Sequence, residues 1–324
     1  MTARVFVARR ISEEALRRVA SETDADVWPD DLPPSRGELL KRVAGVEGVL
    51  SMVTERVDDE LLEAAGRSLK VVSQFGVGVD NIDVPACTRR SVAVGNTPGI
   101  LTETTADGAF ALLMAAARRL AEGYGYVRDD RWKAWSPTIF VGADIHHATL
   151  GIIGFGRIGR ELARRARGFD MQILYFSRHL AAGDEGARLV SLDELLSKSD
   201  FVSLHVPLTS ETHHLINADS LKKMKPSAIL INTARGPVVD SDALYDALKS
   251  GTIAGAALDV TEPEPLPGSH KLLSLPNCLV VPHIGSASVA TRAAMSRIAV
   301  DNLLAGVRGE PLPACVNPSV FEHV

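Results

Sequence analysis

Three polar residues stand just past separate apolar runs in this chain of 324 residues: Arg235 in INTARG, Glu264 in DVTEPEP and His283 in VVPHIG. Their types suit one reaction. An arginine offers a planar fork of N–H donors for a 2-oxo carboxylate, and its charge polarises the carbonyl oxygen where negative charge develops. A histidine titrates near neutrality and can protonate that oxygen as hydride reaches the adjoining carbon. A glutamate beside it would orient the imidazole and favour its charged form. Singly, Arg235 could cap a strand, His283 could be a satisfied loop histidine and Glu264 a surface charge. Together, behind the glycine signature upstream, they read as one site.

That signature is Thr149 to Arg178, TLGIIGFGRIGRELARRARGFDMQILYFSR. The apolar run Leu150-Gly151-Ile152-Ile153 suits a strand buried on both faces. Gly154, Gly156 and Gly159 follow at GxGxxG spacing, helical periodicity runs from Arg160 to Gly168, and Met171 to Phe176 closes a βαβ unit of about 30 residues. Gly154 permits the tight turn, Gly156 lets the backbone approach a pyrophosphate, and Gly159 lets helix and strand pack closely. The helix N-terminus adds N–H donors and a positive dipole end. After the second strand an NAD site would place Asp or Glu; here Ser177 and Arg178 stand instead. An arginine with a hydroxyl suits a 2′-phosphate, so NADP(H) is favoured; if Arg178 only stacks on the adenine, NAD(H) binds as well.

Strand–helix alternation continues beyond the glycines, with strands at Phe201–Val206, Ile229–Thr233, Ala254–Val260 and Leu279–Val281 and helices at Ser220–Met224 and Asp242–Lys249. This predicts an α/β fold with a doubly wound parallel sheet whose ligands sit outside the carboxyl ends of its strands. Before it, strands are expected at Arg4–Ala8, Gly48–Met52 and Val71–Phe75, and helices at Ser12–Ala20 (Ser12 as N-cap), Leu39–Val43 and Asp58–Ala65. Gly76-Val77-Gly78-Val79-Asp80-Asn81 lacks a third finger glycine, and Pro85 falls where a helix would start. It reads as a loop, either a plain turn or a substrate-side nest whose N–H groups hold a carboxylate. Asn96-Thr97-Pro98-Gly99 is the expected hinge, Thr102 or Thr104 opens a long helix, and Ser286–Gly306 forms a last amphipathic helix returning to the first domain. The expected domains are 1–98 with 287–324, and 99–286 for the dinucleotide. Trp132 and Trp135 in RWKAWSP serve as a partner-subunit anchor, a substrate wall or local packing.

Composition is that of an ordinary globular chain: 46% hydrophobic, 23% charged, net charge −5. That mild acidity argues against nucleic acid as a partner. Three dispersed cysteines without metal-ligand spacing fit a reducing compartment, the N-terminus lacks a signal-peptide pattern, and no apolar run reaches membrane-spanning length. A cytoplasmic location follows. The histidine pairs His146-His147 and His213-His214 are expected to point apart and to hold no metal.

The motifs LGIIGFGRIG (150–159), HVPLTSETHHLI (205–216), INTARGPVVD (231–240), ALDVTEPEPL (257–266), PHIGSA (282–287) and FGVGVDNID (75–83), in this order and spacing, resemble the D-isomer-specific 2-hydroxyacid dehydrogenases over nearly the whole chain. Within that family the sequence is most similar to glyoxylate/hydroxypyruvate reductases, through YFSR and the W-x-P at Trp135. It differs from the family pattern at His146-His147-Ala148 and at Thr261, where an aromatic is usual. The resemblance implies two Rossmann-like domains, with the nucleotide domain inserted into a smaller substrate domain. It implies Arg235 as the substrate-polarising residue, His283 and Glu264 as the acid–base pair, and Asp259 near the nicotinamide. It places the substrate against Val77, Gly78, Arg235 and Trp135. It extends the cofactor set to Thr104, Phe155, Arg157, Ile158, Val206, Pro207, Thr212, Thr233, Ala234 and Gly285. The implied activity is NAD(P)H-dependent reduction of a small 2-oxo acid, in a homodimer. The alternatives are a dehydrogenase for another D-2-hydroxy acid, such as 3-phosphoglycerate or D-lactate, and a non-catalytic dinucleotide-sensing scaffold.

Overall fold

A computed structural model describes residues 2–178 and 186–322. The chain forms two compact units, Met1–Leu101 with Ala287–Val324, and Thr102–Ser286. The first contains β1 (Arg4–Val7), α1 (Glu13–Glu22), β2 (Asp24–Val27), α2 (Arg36–Arg42), β3 (Gly48–Ser51), α3 (Asp59–Ala65), β4 (Val71–Gln74), α4 (Val84–Arg89) and β5 (Ala93–Gly95). Its strands are all parallel in the order β2-β1-β3-β4-β5. The C-terminal helix Val289–Val307 covers one face of this sheet, packing on β3, β4 and β5 and against α1. Its last turns, Asn302 to Val307, are buried all round, so the expected amphipathic pattern stops where the helix enters the core.

Two local expectations are corrected here. A helix does form around Pro85, beginning at Val84: Asp83 accepts the Ala86 N–H at 2.8 Å, and proline occupies the first turn, where its missing N–H costs nothing. Ser12 stands at the N-cap of α1, but its side chain caps no amide.

The second unit contains α5 (Thr102–Ala117), α6 (Leu120–Arg128), β6 (Thr149–Ile153), α7 (Arg157–Arg167), β7 (Gln172–Phe176), β8 (Arg188–Leu189), α8 (Leu192–Lys198), β9 (Phe201–Leu204), α9 (Ala218–Lys223), β10 (Ile229–Asn232), α10 (Ser241–Ser250), β11 (Gly255–Leu258) and β12 (Cys278–Val280). The strand order is β12-β11-β10-β9-β6-β7-β8, all parallel among the described residues, with the direction of winding reversing between β6 and β9. Both faces of the sheet are covered. Ile153, Leu204, Leu230 and Leu258 face one core, and Ile152, Ile231 and Ala257 the other. Each such buried leucine or isoleucine contributes about 1.5–3 kcal/mol, which explains the near-continuous apolar strands. The register pairs Leu204 with Asn232, Asn232 with Leu258, and Leu258 with Val280. Four neighbouring strands thus end at one level, and the loops that follow them stand side by side.

Candidate active site

At that edge the ladder runs one step further: the His283 N–H donates to the Asp259 carbonyl at 2.9 Å. His283 has φ +53°, a left-handed conformation that costs a non-glycine residue about 1 kcal/mol or more. Asp259, 3% exposed, holds it there, because its two carboxylate oxygens accept the N–H groups of Ile284 (2.6 Å) and Gly285 (2.8 Å). In this unit Asp259 acts as the brace of the histidine loop.

The imidazole so presented meets Glu264, with Nδ1 to Oε1 at 2.6 Å and both side chains about a third exposed (33% and 35%). Burial pushes the Glu264 carboxyl up. The hydrogen bond and charge of His283, the Thr261 N–H (3.3 Å) and the charge of Arg235 outweigh it and hold the carboxyl below its ordinary range. Thr261 also closes its loop by donating its hydroxyl to the Pro263 carbonyl at 2.8 Å.

Arg235 is half-buried on the adjacent loop. The buried Asn232 carboxamide shapes that turn: it donates to the Arg235 carbonyl (2.8 Å) and accepts the Ala234 N–H (3.0 Å). The Arg235 loop touches the Glu264 loop backbone to backbone. A Cβ on Gly236 would lie 1.8 Å from the Thr261 oxygen, so only glycine fits there. The structure therefore brings Arg235, Glu264 and His283 together on three adjacent loops.

The glycine finger follows β6. Gly154 has φ +93°, and a Cβ there would stand 2.6 Å from the His205 carbonyl after β9. A Cβ on Gly159 would strike the Gly154 oxygen at 2.3 Å, whereas around Gly156, the N-cap of α7, no atom lies within 4 Å of such a carbon. The open approach, the amides of Arg157 and Ile158 in the first turn and the helix dipole fit a pyrophosphate. Val206 and Pro207 follow β9 on the far side of the reversal point, and Thr233 and Ala234 follow β10. Among the described residues the buried Thr233 hydroxyl has no hydrogen-bond partner, which fits a bound polar group. Thr104 is half-buried near the start of α5.

The Phe155 ring is buried and stacked on Tyr175 (centroids 4.1 Å apart), so its backbone is what it offers the finger. Thr212 folds the loop after β9, its hydroxyl donating to the Pro207 carbonyl at 2.6 Å. Ser177 and the exposed Arg178 directly follow β7, so the two described residues at that strand end carry no carboxylate of their own. Glu211 reaches their vicinity. Hydrogen bonds with Thr209, its own N–H and Ser210 hold its carboxyl low, and the Arg178 charge adds to this.

The remaining sequence candidates stand on other segments. Val77 and Gly78 belong to the first unit, after β4. Their carbonyls accept from Asn96 (2.9 Å) and Gln74 (3.3 Å), and because a trans peptide points its N–H opposite its C=O, this turns the Gly78 and Val79 N–H groups the other way. Trp135 is 80% exposed, in a stretch without regular structure.

A model of the D-isomer-specific 2-hydroxyacid dehydrogenase NAD-binding domain matches residues 110–285, which include the finger and all three strand-end residues. The chain belongs to the D-isomer-specific 2-hydroxyacid dehydrogenase family. A glyoxylate reductase of Korarchaeum cryptofilum is 50% identical over 326 residues, 99% of this chain and 98% of the relative. Among solved structures, a Thermus thermophilus protein superposes with TM-score 0.91 at 46% identity, covering 97% of this chain and 99% of that one. An NADPH-dependent glyoxylate/hydroxypyruvate reductase of Sinorhizobium meliloti, solved with NADP and malonate, gives 0.86 at 34% identity, covering 99% and 98%. As a member of this dehydrogenase family, the protein is an NAD(P)-dependent oxidoreductase of small 2-oxo acids. Among its described residues no helix is long and apolar enough to cross a membrane.

Sequence reasoning misses Asn232, Gly236, the loop-closing role of Thr261 and the bracing role of Asp259. The buried polar Asn232 at a strand end and the glycine after Arg235 are the available signals. Both histidine pairs also depart from expectation: His213 and His214 stack face to face, centroids 4.0 Å apart, where His214 has φ +49°, and His146 and His147 meet edge to face at 5.1 Å, where His147 has φ +61°.

Proposed function

We propose that this dehydrogenase reduces glyoxylate and hydroxypyruvate, the latter to the D-2-hydroxy acid, and prefers NADPH to NADH. The 2.6 Å contact between His283 and Glu264 beside Arg235 carries the mechanism, and the relatives named glyoxylate reductase along the whole chain support the substrate class. When bound, the reduced nicotinamide supplies the hydride. Arg235 holds the substrate's carboxylate and 2-oxo oxygen in its fork. Glu264, kept ionised by its neighbours, accepts the His283 Nδ1 proton in a hydrogen bond. Nε2 then faces the substrate and gives its proton to the oxygen as carbon is reduced, so a 2-oxo acid, a hydride and a proton become one 2-hydroxy acid. Asp259 keeps the histidine loop in place throughout.

A serine and an arginine, rather than an acid, in the two positions directly after β7 support NADPH. Large exposed apolar side chains crowd one segment, Leu120, Tyr124, Val127, Trp132, Trp135 and Val141, between 54% and 80% exposed, which supports a homodimer covering them. Three unpaired cysteines support a cytoplasmic location.

Steady-state reduction of glyoxylate, hydroxypyruvate and pyruvate with each cofactor tests the reading. Preference for NADPH with either of the first two acids supports it. Equal use of NADH removes the 2′-phosphate argument, and preference for pyruvate removes the substrate assignment.

A further inference from the structure

Outside the catalytic cluster, His213, His214 and Glu262 present one donor atom each, all within 4.8 Å of one another. The loops that carry them are fixed separately. After β9, the His213 N–H donates to Thr209 O (2.9 Å) and the His214 N–H to Pro237 O (2.8 Å). After β11, the Glu262 carbonyl accepts from the Ser241 hydroxyl at 2.9 Å. The left-handed turn at His214 sets the two imidazoles side by side, and His214 Nε2 meets Glu262 Oε2 at 2.9 Å.

We infer that these three residues form a binding site for a borderline divalent transition-metal ion such as Zn2+. Two imidazoles and a carboxylate are the donor set such ions select, at about 2.0–2.2 Å, whereas Mg2+ prefers oxygen donors and its own water. A tetrahedral ion at those lengths wants its donors roughly 3.3–3.6 Å apart. The His214–Glu262 contact must open slightly and the widest separation must close. His213 is exposed and the other two are half-exposed (36% and 38%), so side-chain rotation alone supplies both. The fourth position faces solvent and takes water. Bound metal replaces the His214–Glu262 hydrogen bond and ties the loop after β9 to the loop after β11. Neither histidine, nor the Glu262 carboxylate, belongs to the proton-transfer pair.

Calorimetric titration of the untagged, chelator-treated full chain with ZnCl2, paired with thermal melts, tests the site. The expected result is saturable one-to-one binding that raises Tm and that MgCl2 does not reproduce. Binding should weaken at least about tenfold in both His213→Ala and Glu262→Gln. His213→Ala removes only an exposed side chain, so it should melt like the parent without zinc and keep its basal turnover. The site is overturned if zinc shows no saturable binding, or if both variants bind as the parent does, which places the ion elsewhere, such as at His146 with Asp144. It is equally overturned if magnesium binds with the same affinity and the same dependence on His213.

Discussion

Replacing Gly236 by alanine tests whether the contact between two loop backbones sets the catalytic geometry. The residue lies outside the left-handed region, so its backbone suits alanine and only the added carbon matters. That carbon would lie 1.8 Å from the Thr261 oxygen and 2.2 Å from its carbonyl carbon, whereas real Cβ contacts begin near 3.0 Å. The Arg235 and Glu264 loops must therefore part by about 1.2 Å, the difference between those two oxygen distances. A displacement of that size costs a pre-organised site about 100-fold, or about 2.7 kcal/mol in the barrier. Overpacking of this kind also lowers folding stability by about 1–3 kcal/mol. The glycine finger is carried by β6, which β9 separates from β10, while Thr233 and Ala234 share the displaced loop, so NADPH affinity should fall by less than about tenfold, a difference under about 1.4 kcal/mol. The assay pairs kcat/KM for glyoxylate with NADPH titration by fluorescence and a circular-dichroism melt. A folded Gly236→Ala enzyme that keeps at least half of the parent kcat/KM would refute the reasoning.

Arg178→Ala should raise KM for NADPH about tenfold or more and leave that for NADH within twofold, since only the 2′-phosphate loses a charge-assisted partner; equal changes for both cofactors contradict this. Glu264→Gln should lower kcat about 10²–10³-fold, and its stability deficit should depend on pH. The depressed Glu264 carboxyl contributes stability that is present above the unfolded value near 4.3 and disappears as pH falls through the folded value, so the Tm gap between parent and variant should close in acid. His205, whose Nε2 pairs with Ser203 Oγ at 2.8 Å, is pushed by burial down to about 4. Its unfolded form takes up a proton near pH 6.5 while the folded form does not. Between pH 7 and 5 the protein should lose about 2 kcal/mol on this account, read from urea unfolding, and His205→Gln should flatten that slope.

What can be read from the sequence follows what burial imposes on it. Runs such as FVSL, ILIN and GAAL are apolar because both faces of the second sheet are covered, and the three polar residues beyond such runs are visible for the same reason. Edge and partly exposed elements are not. β2, DADV, is a polar edge strand whose burial is mostly partial, and it has no pattern to find. α8 escapes the apolar pattern although Ser191 and Glu194 spell a capping signature, the Ser191 hydroxyl accepting the Glu194 N–H. The helix at Pro85 is misread when proline is weighed as a breaker rather than as a first-turn residue. Asp259 announces a polar group at a strand end, but its bracing role depends on two amides 25 and 26 residues later in the chain. The stacking of His213 on His214 depends on one backbone angle that no residue type dictates.

The left-handed backbone of His283 bears on how this protein can be improved. Asparagine or glycine would adopt φ +53° with less strain, so selection for thermal resistance alone would push position 283 away from the histidine that we propose as the proton donor. Selection for turnover pushes it back. Fold and reaction compete at this one position, and Asp259 is what lets the histidine win. Stabilised variants of the enzyme should therefore be sought in the helices of either unit, with the stretch from Asp259 to Gly285 left untouched.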